Sequence, residues 1–202
     1  VTSLVLNAKA YATSISGLTS SLTAGATLVL WPVAYEGGFT TFNTPTGCSA
    51  SWTPAGTSSS GSAQAVFIGT ASASGTCTVA ITQTGSPTAA DIDLTMWQIT
   101  NASTTVDGTG GVAQFINSSY EASAFNGPTV TTTVNGDILL AGLNGDNTIG
   151  MTVGSPWTQD AVCTNYNANA AHYLQATAGA IYPSWTPSAP ANAYGMTIAI
   201  EP

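Results

Sequence analysis

Arginine is missing from this chain, and lysine occurs once, at Lys9. Charged residues make up 5% of it, against about 25% in ordinary globular proteins. Nine acids leave a net charge of −8. Neutralising phosphates needs Lys and Arg, so nucleic acid is excluded as a partner, and an anionic membrane surface is a poor one. Surface ion pairs cannot hold such a fold; apolar burial, sheet hydrogen bonds and Ser, Thr and Asn side chains must do so. A single tryptic site suits a protein that lives outside a cell. Long apolar runs are missing too: no stretch approaches the 18 residues a spanning helix needs, which predicts no membrane insertion. The first residues, Val1 to Lys9, lack a basic start and a long apolar stretch, and read as an edge strand rather than a leader. No window carries a helical apolar period over three turns, so helix is not expected. There is one histidine and no CxxC, which argues against a thiol metal site.

What is present is Thr, Ser, Ala, Gly, Val and Ile, with 44% apolar residues, 21 Gly and 10 Pro. That is enough for a core and gives frequent turns. Residues 131–143 set the plan. Thr131 to Val134 is β-branched, Asn135-Gly136 can supply the positive φ angles of a tight hairpin turn, and Ile138 to Leu143 is an apolar run fit for a buried strand. Residues 27–35 form a second strand, nearly apolar on both faces, in which Pro32 predicts a bulge or an edge. Further strands are expected at 1–12, 48–52, 64–70, 76–82, 91–99, 170–176, 181–186 and 194–200, and near Trp157.

The two halves align in order. Gly25 matches Gly136, Trp52 matches Trp157, Ala65 matches Ala170, Gly75 matches Gly179, and residues 91–99 match 193–201. The expectation is one domain over 1–202, with pseudo-repeat halves at about 20–100 and 130–202 and a crossover at 101–129. The fold class is all-β: a two-sheet antiparallel β-sandwich, jelly-roll or concanavalin-like, of about 8–10 strands.

Few residues offer chemistry. Cys48 and Cys77 lie in the first half and Cys163 in the second. A Cys48–Cys77 disulfide would close a loop of about 29 residues, worth roughly 3–4 kcal/mol; the spacing does not fix the pairing, and buried free thiols are the alternative. His172 reads as a strand residue with a hydrogen bond, since no G-x-S-x-G elbow accompanies it. Asp91 and Asp93 share a strand face at a spacing that would suit paired carboxylates, though a solvent face explains them as well. With Asn144 and Asp146 they are the oxygen donors from which a calcium site could be built, and no other cofactor is expected. For sugar stacking the aromatic candidates are Trp52, Trp157, Trp185 and Tyr166. The first two recur in the repeat, which argues for the core. Tyr166, flanked by Asn165 and Asn167, is the exposed candidate. Asp107, Glu121, Glu36 and Glu201 have no evident partners in the sequence.

Several phrases resemble a jelly-roll-like module of tailed-phage virion proteins and bacterial surface proteins. They are residues 23–30, 134–140, 155–158, 170–179 and 198–200. They are scaffold residues and transfer no functional residue. The resemblance implies a non-enzymatic role in a virion or extracellular assembly, such as head decoration, tail or fibre, with copies of itself or other virion or surface-layer proteins as partners. Two further readings are a secreted glycan-binding module and a subunit of a surface filament that donates residues 1–12 as a strand to the next copy.

Overall fold

The computed structural model describes residues 6–12, 14–35, 41–58, 63–83, 90–107, 114–121, 124–145, 150–161, 169–189 and 191–202. Of these, 6–12, 18–20, 35, 58, 63, 90–91, 114–121, 145, 161 and 191–192 are described by backbone alone. The chain is all-β, with antiparallel sheets throughout and no helix among the described residues. It divides into two compact units, Val1–Thr104 and Thr105–Pro202.

Unit 1 holds β1 (Leu6–Ala12), β2 (Ser14–Leu22), β3 (Thr27–Tyr35), β4 (Ser49–Ser58), β5 (Ala63–Ala71), β6 (Gly75–Thr82) and β7 (Ala90–Ile99). The large sheet runs β1-β7-β3-β5-β4, and β2 pairs β6 in a small one. One core is lined from both: Leu28, Leu30, Phe67, Ile92, Leu94 and Met96 from the large sheet, Ile15, Leu22, Val79 and Ile81 from the small. Side chains alternate across a strand, so the intervening residues face the other way. Val29, Trp31, Val33, Trp97 and Ile99 are nonetheless fully buried. That accounts for the unbroken apolar run of β3.

Unit 2 holds β8 (Val106–Asp107), β9 (Gln114–Glu121), β10 (Phe125–Asn126), β11 (Val130–Thr131), β12 (Asp137–Gly145), β13 (Met151–Val153), β14 (Thr158–Ala161), β15 (Asn169–Gln175), β16 (Ala180–Ile181), β17 (Ser184–Pro187) and β18 (Ala191–Ile200). Its large sheet runs β14-β15-β12-β18, with β8 and β9 both beside β18. The small sheets are β10-β17-β13 and β11-β16. Leu139, Ala141 and Leu143 meet Phe125, Val130, Met151 and Trp185 in a second core.

The duplication is visible in strand pairing. In unit 1, β3 lies between β7 and β5, and Thr27 stands opposite Ile99 and Thr70. In unit 2, β12 lies between β18 and β15, and Ile138 stands opposite Ile200 and Leu174. The turn before each strand makes the same bond, Gly25 N–H to the Ala71 carbonyl and Gly136 N–H to the Gln175 carbonyl, both 2.9 Å. The small sheets correspond as well, because β2 meets β6 as β11 and β10 meet β16 and β17. Register corrects two matches by one residue. Ile99 is equivalent to Ile200, so residues 91–99 answer to 192–200. Ala170, opposite Gly142, answers to Val66 rather than Ala65. Spacing from a tryptophan crosses bulges in β4 and β14, whereas pairing does not.

Three other expectations change. Residues 131–143 are not a hairpin: β11 pairs β16 in a small sheet, and β12 pairs β15 and β18 in the large one. Gly136, at φ +92°, supplies the predicted positive φ, but at a corner where the chain changes sheets. Pro32 lies in a central strand. It stands opposite Leu94 on β7, while the pairing with β5 passes from Leu30–Phe67 to Val33–Gln64. The supposed crossover at 101–129 carries β8, β9 and β10. β1 is at the sheet edge, as the sequence suggests.

Candidate functional site

Most of the predicted site residues are dispersed or buried. Asp93 is 1% exposed and Asn144 fully buried within β12, so the expected solvent face and turn are interior positions. The register sets Lys9, the sole cation, opposite Asp93. No group of three metal-ligating acids, histidines or cysteines occurs among the described residues. Asp146, Asn165, Tyr166 and Asn167 lie outside the described residues, as does the side chain of Asp91. Trp52, Trp157 and Trp185 are buried, which removes them as sugar platforms. Their rings complete the cores instead. The Trp52 indole N–H donates to the Gly47 carbonyl at 2.9 Å, and that of Trp157 to the Tyr182 carbonyl at 3.2 Å. A disulfide joins Cys48 to Cys77.

Among the described residues there is one polar cluster the sequence did not reveal. It forms where β8 reaches the corner before β12. Asp107 accepts the Thr133 and Val134 backbone N–H groups and, at 2.6 Å, the Thr133 hydroxyl. Burial pushes its carboxyl up, but these donors outweigh burial and hold it well below the usual carboxylate range. Beside it lies Asp137, the first residue of β12 and fully buried. Neither of its oxygens has a donor when the group is ionised. Burial first, then the hydrogen bond and charge of Asp107, then the charge of Glu201, push it up to about 7. The pair therefore shares one proton: Asp137 keeps it and donates to Asp107, which stays ionised. Such a pair could in principle serve acid–base chemistry. Here its ionised member already receives three protein donors and its protonated member is sealed from solvent, so it fastens a turn.

The same corner in unit 1 is fastened without charge. Thr23 is the equivalent of Val134, and its N–H donates to the Gln98 side-chain oxygen at 2.6 Å. Ala26 stands where Asp137 does. Other side-chain amides in unit 2 act similarly. Gln159 bonds the Val153 N–H and the Met151 carbonyl, and Asn169 the Met151 N–H and the Leu143 carbonyl, so β13 is stitched to the large sheet.

His172 lies in β15 with its Nδ1 2.7 Å from Asp160, and the side chains are 21% and 5% exposed. The pair stands at the β14–β15 edge, away from Asp107 and Asp137, which β12 and β8 place at the corner.

Unit 1 has one segment that unit 2 lacks. Thr46 and Ala80 exchange backbone bonds, as Gly154 and Ser184 share one. Between Thr46 and Trp52 stand Gly47, Cys48, Ser49, Ala50 and Ser51. Between Gly154 and Trp157 stand only Ser155 and Pro156, joined by a cis peptide. Tyr173 takes the place of Gly69 under the tryptophan, with ring centroids of Trp157 and Tyr173 5.9 Å apart. A Cβ at Gly69 would stand 2.9 Å from the Trp52 ring and 2.7 Å from the Ser49 hydroxyl, so the two units fill that space in incompatible ways.

Compared with known proteins, the chain matches no family model and no curated protein sequence.

Proposed function

We propose that this chain is a structural subunit of a virion or other extracellular assembly, of the kind found as phage decoration, tail or fibre components. Its work would be contact with neighbours rather than chemistry. The observation that carries this reading is how the polar side chains of the two units are used. Asp107, Gln98, Gln159, Asn169 and Thr132 are bonded to the protein's own backbone at corners and strand edges. A protein with one cation must hold neighbours by sheet edges, hydroxyl and amide hydrogen bonds and small apolar contacts, which salt screens little. The filament reading is less favoured, because β1 already pairs β7 from Leu6 to Ala12.

Electron microscopy of material purified with the chain from its source tests the proposal. The expected result is a regular particle or shell that survives transfer from low to molar salt. A free monomer with a defined glycan ligand would replace this reading with the secreted binding module.

A further inference from the structure

Lys9 on β1 stands directly opposite Asp93 on β7, so the sole cation of the chain shares a cross-strand position with an acid. That acid is interior. Asp93 is 1% exposed, and on the other side of β7 it stands opposite Val33 of β3, which is fully buried. Along the same face of β7 follow Thr95 and then Trp97, both buried.

The repeat shows that the fold does not ask for this pair. Residues 91–99 answer to 192–200, so Asp93 is equivalent to Tyr194, and β9 lies against β18 as β1 lies against β7. Opposite Tyr194 stand Asn117 on β9 and Asn144 on β12. Unit 2 therefore builds the same place from neutral residues. A buried ion pair gains little over neutral neighbours, because taking two charges out of water offsets their attraction. Stability alone does not explain why a chain with one cation sets it against a buried acid.

We propose that Lys9 and Asp93 are a modification site, at which the two side chains condense into an amide that ties β1 to β7. Directly opposed residues carry their Cβ atoms about 5 Å apart, a span that the flexible four-carbon lysine stem covers. Where water is excluded, an amine and a carboxylic acid are favoured over two separate charges. One Nζ proton passes to the Asp93 carboxylate, and the Nζ lone pair attacks Cγ. The Nζ–Cγ bond forms, the Cγ–OH bond breaks, and the hydroxyl departs with a second Nζ proton as water. The ion pair and the amide plus water balance, and no co-reactant is needed. The burial of Asp93 then keeps solvent from reversing the step. The product joins the outermost strand of the large sheet of unit 1 to its neighbour. Tension on the chain ahead of β1 would pass into β7 through a covalent bond instead of peeling hydrogen bonds from the sheet edge. The chain would also lose its one tryptic site.

The test needs no assembly and no partner. The full-length chain is unfolded, reduced and weighed by mass spectrometry, intact and after digestion. The expected mass is one water below that of the sequence. The digest should contain a branched peptide joining the segments around Lys9 and Asp93, and a lysine-specific protease should leave the unfolded chain uncut. Lys9→Arg keeps a positive charge opposite Asp93 but offers no amine to acylate, so it should restore the full mass. Full mass in the unsubstituted chain, with cleavage after Lys9, would leave an ion pair only and overturn the proposal. Water loss that persists in Lys9→Arg, or that maps to another place such as a succinimide at Asp107-Gly108, would overturn it too.

Discussion

The two units solve one folding problem with different chemistry. Each places an apolar strand between two later strands, turns a corner through a positive-φ glycine, and closes its core with a small sheet. Unit 1 fixes its small sheet with the Cys48–Cys77 bond and its corner with the Gln98 amide. Unit 2 has no disulfide among its described residues; it stitches β13 with amides and pins its corner with the ionised Asp107 beside a protonated Asp137. One scheme depends on redox state, the other on pH.

The largest difference should appear on reduction. Cys48→Ser with Cys77→Ser, or thiol reductant, should destabilise unit 1 by about 3–4 kcal/mol, the value for a loop of this length, and leave unit 2 unchanged. Denaturant unfolding followed by fluorescence and by site-resolved hydrogen exchange would assign the loss. Equal loss in both units would show that they do not unfold independently.

Next is Asp107→Ala, which removes the charged acceptor from Thr133 and Val134 and strands two donors. A cost of about 2–3 kcal/mol is expected, against about 1 kcal/mol for the neutral counterpart Gln98→Ala. Urea midpoints of the two variants give the ratio.

The pH profile separates the units further. The folded form of Asp137 holds its proton up to about 7, while the unfolded chain releases it near the usual carboxylate value of about 4. Its contribution is therefore complete below pH 4 and is lost as pH rises through 7. Asp107 acts in the opposite sense: its contribution is present above pH 4 and lost in stronger acid. Unit 2 should melt highest near pH 4 to 5 and several degrees lower at pH 8. Asp137→Asn should flatten the alkaline limb, which calorimetry across pH would show. Among the described residues the corner of unit 1 has no titrating partner, and it should lack this limb.

The smallest effect belongs to Leu174→Thr and Tyr182→Thr. Both side chains are exposed, so each substitution should change stability by less than about 0.5 kcal/mol. A thermal melt checks this, and a larger loss would mean that these side chains already serve the fold.

Much of the fold was legible because it is written in local signals. The alternation of Ile92, Leu94 and Met96 and the apolar run of β3 mark strands, and the paired glycines and tryptophans mark the repeat. What stayed hidden depends on distant partners. Asn135-Gly136 announces a turn but not which sheet the chain enters next, so a corner resembled a hairpin. Asp107 and Asp137 are far apart in the chain, and nothing local to either names the other. Asp93 alternates with apolar residues as a solvent-facing acid would; only the burial of the second sheet face shows otherwise. β2 carries sparse apolar positions because only one of its faces meets a core, and it escaped notice as a strand.

The position of β3 and β12 has a bearing on biosynthesis. Each is a central strand made before either of its neighbours, so on the ribosome it waits with both edges unpaired until β5 or β15 is synthesised, and with one edge unpaired until β7 or β18 follows. Pairing over such a span is slow, and an unpaired strand of this kind is the part of a nascent chain most prone to stick to another copy. Soluble yield should accordingly depend on the interval between each central strand and its later neighbour, and slowing translation within residues 36–90 should lower it more than slowing translation within residues 100–136, where β3 already has both neighbours and β12 is not yet made.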